Sequence, residues 1–223
     1  MIPARMGSKR VPKKNIRFLG GKPLIDYPID LLKQTKFFKE IYVNTESEEL
    51  GGYCIRKGIQ FHHRPAELST DTATNRDFMY EFMKKHDCDY VLMVNPTSPL
   101  ITPDTLNRCI DLIKTEEFDT MLSVVNEKTE CYYYGKPVNF DPKFKINSQF
   151  LEPVSRVVWA LTCWKRSSFI HSQEHGDNPV FGGKVSLFPI PKYECCDIDT
   201  EEDWIVAEKS LGVSGEEVKY LDL

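Results

Sequence analysis

Four short segments of this 223-residue chain carry residue types that do chemistry. The first is residues 1–15, MIPARMGSKRVPKKN, where Arg5, Lys9, Arg10, Lys13 and Lys14 surround Gly7 and Ser8 with no acid among them. The whole chain has a formal charge of −4. A concentrated cationic loop on an acidic protein suggests a place where a polyanion is held. Arginine forks and lysine point charges would meet its oxygens, and the small residues would let backbone N–H groups come close. A solvated basic loop has the same composition, and the segment matches neither the Walker A pattern nor GxGxxG. The second segment is Asn95-Pro96-Thr97-Ser98-Pro99-Leu100. It follows an apolar run, and in an open α/β sheet ligands bind outside the carboxyl ends of the strands. A turn stiffened by two prolines could present Asn95 and Ser98 to a base or sugar, or simply join strand to helix. The third, RPAELSTDTAT over residues 64–74, places Arg64, Asp71 and Thr74 either at a nucleotide or at a helix cap. The fourth is Asp197-Ile198-Asp199. Extended backbone puts both carboxylates on one side; there they repel unless a cation lies between them, and oxygen ligands with phosphates are what Mg²⁺ uses. The alternative is that Asp199 or Thr200 caps the last helix.

The elements that must position these residues follow from hydrophobic period and stop signals. Strands are predicted over 1–4, 40–45, 59–63, 90–94, 120–125, 157–164 and 184–188; the run YVLMV at 90–94 reads as a strand buried on both faces. Helices are predicted over 24–34, 47–57 (stopping at Gly58), 72–85, 103–114 (Thr102 as cap, Pro103 in the first turn) and 201–211, with acids in the first turn of the last. Strand–helix alternation over the first 125 residues implies a Rossmann-like, mostly parallel α/β sheet. Residues 131–154, rich in Tyr, Pro, Asn and Lys, lack helical period and read as an inserted hairpin or arm. Hydrophobic content of 41% and charged content of 28% suit one soluble domain over 1–223. The acidic balance argues against a nucleic-acid partner, and the lack of a long apolar run argues against a membrane. Seven scattered cysteines without metal spacing, and a polar, basic start rather than a signal peptide, point to reduced thiols in the cytoplasm. His62-His63 at a strand end reads as structural or surface.

Taken together, the segments resemble the acylneuraminate cytidylyltransferase family, the CMP-sialic-acid synthetases and their relatives. IPARMGSKRVPKKN matches the family's opening signature nearly in full, and GGKPLIDYPI, RPAELSTDTAT, NPTSPL and DIDTEEDW come after it in order. The resemblance implies a nucleotidyltransferase that joins CTP to a nonulosonic, sialic-acid-like sugar, releasing pyrophosphate, with Mg²⁺ (or Mn²⁺) as cofactor. It implies a Rossmann-like fold with a dimerisation arm, placed at 131–154, and a homodimer whose small-molecule partners are CTP and a small acidic sugar. Carried over by position, Arg5, Gly7, Ser8, Lys9, Lys14 and Asn15 lie around the nucleotide phosphates. Arg64, Asp71 and Thr74 lie on the nucleotide side, and Asp197 and Asp199 match the metal pair. Arg5, Lys9 and Asp199 are the implied catalytic residues. Asn95, Ser98, Arg156 and Trp159 face the acceptor. Three departures fall there: Asn95 replaces a usual glutamine, Ile101 a common arginine, and Arg156-Val157-Val158-Trp159 lacks the usual Asn-Gly before the strand. These imply an acceptor other than N-acetylneuraminate, such as a legionaminate- or pseudaminate-like sugar. The alternatives are a transferase of the same fold acting on 3-deoxy-octulosonate or a sugar phosphate, and a non-catalytic nucleotide-binding protein.

Overall fold

The computed structural model describes residues 1–213, 215 and 217–223. The first strand, β1, is only Ile2–Pro3. A small hairpin, β2 (Phe18–Leu19) and β3 (Lys22–Pro23), leads into α1 (Asp26–Lys33). Then come β4 (Tyr42–Thr45), α2 (Glu48–Arg56), β5 (Gln60–His63), α3 (Asn75–Lys85), β6 (Tyr90–Val94), α4 (Pro103–Thr115) and β7 (Thr120–Glu127). A second hairpin, β8 (Tyr132–Tyr133) and β9 (Lys136–Pro137), lies in the expected arm. β10 (Val154–Lys165), α5 (Arg166–Glu174), β11 (Val185–Pro189) and α6 (Glu201–Ser210) complete the chain.

The parallel sheet β5-β4-β1 meets the sheet β6-β10-β7-β11 where β1 lies beside β6. There Val94 N–H donates to Met1 O at 3.0 Å and Met1 N to Leu92 O at 2.8 Å, the alternation of a parallel ladder. β11 runs parallel to β7, and β10 runs antiparallel to both β6 and β7. The expected mostly parallel sheet is therefore mixed at β10. Alternation along β6 sends Leu92 and Val94 into one core with α1, α2 and α4, and Val91 and Met93 into another with α3 and α5. Helices thus cover both faces. A third cluster, Val11, Leu19, Leu24, Ile198 and Trp204, lies beneath the N-terminal loop. Gly51 of α2 touches β5: a Cβ there would meet the Phe61 ring at 2.6 Å.

Helix starts are set by their caps. The Thr74 side chain and Asp77 form a capping box, so α3 begins at Asn75 rather than at 72. Thr102 caps α4 with Pro103 in the first turn, and Thr200 with Asp203 boxes the start of α6. The arm, 128–153, is largely exposed, including Tyr133 at 69% and Phe144 at 67%. Its turn has left-handed Tyr134 and Gly135 (φ 46° and 75°), the signature of a tight hairpin. All seven cysteines are free thiols. Among the described residues no helix is long and apolar enough to cross a membrane.

Candidate functional site

The carboxyl ends of β1, β5 and β6 deliver Arg5, Arg64 and Asn95 to one cleft of about 470 Å³. The same cleft is lined by Ser8, Lys9, Arg10, Lys14 and Asn15 from the N-terminal loop, by Asp71, Asn75 and Phe78, and by Thr97 and Asp199. Asn15 is 7% exposed and its amide donates to Arg5 O at 2.8 Å, closing the loop on itself. Ser8 N–H turns back to Met6 O, so this amide serves the loop. Gly7 lies in the loop with open space where a Cβ would be, and does not line the cleft.

Charge is arranged in two opposed groups. Asp71 takes Arg5 at 2.9 Å and Lys9 at 2.6 Å; Lys9, then Arg5, hold its carboxyl below the ordinary aspartate range. Across the cleft Asp199 takes Arg10 at 3.0 Å and Lys14 at 3.4 Å. Lys14 Nζ also donates to Ile198 O at 2.5 Å. Burial pushes the Lys14 amine below the ordinary lysine range, against the pull of Asp199. Arg64 is 3% exposed, fixed by Asn44 (Nε to Oδ1 2.7 Å, Nη2 to O 2.9 Å) and stacked 4.2 Å over Phe78. Burial pushes its guanidinium down to about 10. Five cations therefore face two carboxylates, a balance that suits a ligand with several negative charges.

The Asp197–Asp199 segment joins the turn Lys192–Glu194 to the start of α6. Ile198 is fully buried, its N–H donates to Thr97 O at 2.9 Å, and its carbonyl takes Lys14. Asp199 reaches the cleft, whereas Asp197 lies beside it. Asp197 keeps a solvent-exposed surface, yet crowding by protein, with the charge of Asp199, pushes its carboxyl above the ordinary range. A cation between the two would relieve that repulsion. Among the described residues no group of three or more His, Cys, Asp or Glu side chains could hold a metal alone. Two carboxylates plus phosphate oxygens fit a hard cation such as Mg²⁺, which retains outside oxygens.

The remaining candidates lie off the cleft. Thr74 is used by its capping box. Ser98 is 7% exposed, in the turn closed by its N–H to Asn95 O. Arg156 Nε bonds Glu127 at 3.1 Å and its Nη2 lies 3.5 Å from Cys195 Sγ. Trp159 packs against Phe181, ring centroids 5.8 Å apart, and both line a neighbouring cavity of about 310 Å³ that shares Asn75 with the cleft. Trp159 sits in a bulge where β10 slips register between Val157 and Thr162. Ser123 Oγ fills the bulge, donating to Val158 O (2.6 Å) and accepting from Leu161 N–H (3.0 Å), while Ala160 O takes Asn95 N–H at 3.0 Å. Bulges re-aim side chains in this way. Asn75, Phe78 and Thr97 are cleft residues that their types alone do not single out, and Arg10, counted among the cations of the loop, joins them although the resemblance assigned it no role. Asn75 and Phe78 are three apart at the start of α3 and share a face, the one signal that could have found them.

Residues 1–141 match the cytidylyltransferase family. The chain is a member of that family. It is 29% identical to the N-acylneuraminate cytidylyltransferase A of Danio rerio over 95% of this chain and 50% of that protein. It is also 29% identical to the CMP-N,N'-diacetyllegionaminic acid synthase of Legionella pneumophila, over 97% of both. The chain spans about half the length of the N-acylneuraminate cytidylyltransferases it matches. Among solved structures, a CMP:2-keto-3-deoxy-manno-octonic acid synthetase complexed with CTP superposes with a TM-score of 0.72 at 16% identity, covering 95% of this chain and 96% of that one. At that identity the likeness speaks to the fold. The region matching this cytidylyltransferase family supplies Arg5 to Asn95; the Asp pair lies beyond it.

Proposed function

We propose that this chain is a CTP-dependent cytidylyltransferase that activates a nonulosonic, sialic-acid-like sugar. The observation that carries the reading is the cleft in which Arg5 and Arg64 at strand ends meet Lys9, Arg10 and Lys14 of the N-terminal loop, with Asp71 and Asp199 among them. Family membership and two relatives named for acylneuraminate and legionaminate activation support the substrate class.

The acceptor hydroxyl oxygen attacks the α-phosphorus in line. An O–P bond forms, the bond to the β-phosphate oxygen breaks, pyrophosphate leaves, and the hydroxyl proton goes to solvent. Such a reaction asks the protein for positioning and charge neutralisation. Arg5 and Lys9 exchange Asp71 for phosphate oxygens, and Lys14 exchanges Asp199. Arg64, locked over Phe78, gives the nucleotide a rigid cationic edge. Asp197 and Asp199 would hold Mg²⁺, which supplies charge for the triphosphate and lowers the pKa of a bound hydroxyl. Gly7, Ser8 and Asn15 shape the loop. On the acceptor side Asn95 stands at the cleft with Ser98 in the turn beside it, Trp159 lies in the next cavity and Arg156 is held by Glu127; Thr74, expected on the nucleotide side, caps α3 and lines the Trp159 cavity instead. The exposed aromatic arm supports a homodimer, and free thiols agree with a cytoplasmic enzyme. The fold likeness to a 2-keto-3-deoxy-manno-octonic acid synthetase favours a second reading, that acceptor in place of the nonulosonate.

Calorimetric titration with CTP, UTP, ATP and GTP, each with and without Mg²⁺, tests the nucleotide. CTP binding that Mg²⁺ tightens and that exceeds the other three supports the reading; equal or absent binding of all four contradicts it.

A further inference from the structure

We propose that Arg17 is a positioning residue that fixes the N-terminal cationic loop against the Asp199 segment through Glu201. The proposal rests on the nucleotide reading of the cleft. Arg17 comes directly after the short turn Lys14–Ile16, and Glu201 opens α6 two residues after Asp199. The Arg17 side chain is 9% exposed, and its Nη1 donates to both Glu201 oxygens at 2.7 Å. Its guanidinium lies 4.2 Å over the ring of Trp204, a residue 1% exposed. The backbone is held too: Leu24 N–H donates to Arg17 O at 2.9 Å, and Arg17 bridges Tyr220.

Two links thus join the same pair of segments. The cleft-side link is Lys14 to Ile198 O and Asp199; the rear link is Arg17 to Glu201. They differ in fate. A triphosphate takes Lys14 and Arg10 for its own oxygens, and a cation takes Asp199, so the cleft-side ion pairs loosen as the ligand enters. The rear link touches no ligand: its Arg17 end is buried against Trp204 while Glu201 is 53% exposed, and together with the apolar cluster beneath the loop it keeps the spacing while the front link is exchanged. A planar guanidinium suits this because its Nη1 meets both Glu201 oxygens while its face lies on the Trp204 ring, a pairing that a lysine does not reproduce.

The test uses the full chain with Arg17→Gln, Arg17→Lys, Glu201→Gln and the Arg17→Gln/Glu201→Gln double variant. Hydrogen exchange is compared over residues 196–200 and over β6 and β7, and steady-state turnover is measured at saturating CTP. Arg17→Gln and Glu201→Gln are expected to speed exchange of 196–200 by roughly tenfold while β6 and β7 stay unchanged. They are expected to lower kcat by about 10- to 100-fold with the KM for CTP changed less, the mark of misplaced groups. The double variant should be no worse than either single one, as for a coupled pair. Arg17→Lys, which keeps the charge and perturbs folding least, should lie between. Folded variants with wild-type kcat, or exchange rising equally across the sheet, would overturn the proposal and leave Arg17 a general stabiliser. A wild-type chain that binds no CTP would instead remove the nucleotide reading, while the exchange comparison would still decide whether the rear link holds the two segments together.

Discussion

Lys14, in the phosphate-holding role proposed for it, sets chemistry against stability. Its amine is buried enough to be pushed below its ordinary range, so it opposes folding while it waits between Ile198 O and Asp199. Lys14→Met should lower kcat/KM for CTP by about 10²- to 10³-fold, the usual loss for one charge-stabilising donor, with Tm unchanged or higher in a thermal melt. Asp197 carries the same tension with opposite charge. Its carboxyl holds a proton to higher pH than in the unfolded chain. The native state therefore binds more protons between the unfolded value and the raised one, and stability falls as pH rises through that window. Asp197→Asn should raise Tm by a few degrees at neutral pH, flatten that dependence and abolish any activation by Mg²⁺; an unchanged melt would contradict the stored repulsion. Lys14 and the aspartates were legible in the sequence through the family resemblance, since a solvated basic loop or a helix cap uses the same residue types. Phe78 and Arg17 were not, because their roles depend on Arg64 stacking above one and Trp204 beneath the other.

Elements bring these residues together by where they end. β1, β5 and β6 stop at the cleft, and helix caps set where α3, α4 and α6 begin. Strands, caps and prolines could be read because alternation and capping are local. The register slip in β10 could not: it depends on Ser123 of the neighbouring strand, and it decides where Trp159 points. Two residues before Arg64, β5 is tied to α3 by His62, whose Nε2 meets Glu81 at 2.7 Å and whose Nδ1 meets His86 Nε2 at 2.9 Å. Burial lowers both histidines below their ordinary value. The unfolded chain then binds more protons near pH 6.5, so stability is lost as pH falls through that value toward the native ones. Melts at about pH 7.5 and pH 5.5 should show a drop of several degrees, and His86→Gln should shrink it; equal drops would place the source elsewhere.

At the scale of the molecule, helices on both faces of the sheet leave its carboxyl edge open, and the antiparallel β10 threads between β6 and β7 beside the cavity lined by Trp159. The alternation of strands and helices revealed the α/β class, while the direction of β10 depends on how the arm returns the chain. The arm, with Tyr133 and Phe144 largely exposed, has apolar surface that a second copy would cover. Sedimentation should give a dimer, and Tyr133→Ser with Phe144→Ser should shift it toward monomer without lowering Tm; a wild-type monomer at micromolar concentration would contradict this. The most direct test of the whole is pyrophosphate release, measured with each of the four nucleoside triphosphates against N-acetylneuraminate, legionaminate- and pseudaminate-like sugars, 3-deoxy-octulosonate and a sugar phosphate. Release with CTP and a nonulosonate, fastest with one other than N-acetylneuraminate, is the predicted result. No release with CTP and any nonulosonate, or faster release with another nucleotide, would contradict it.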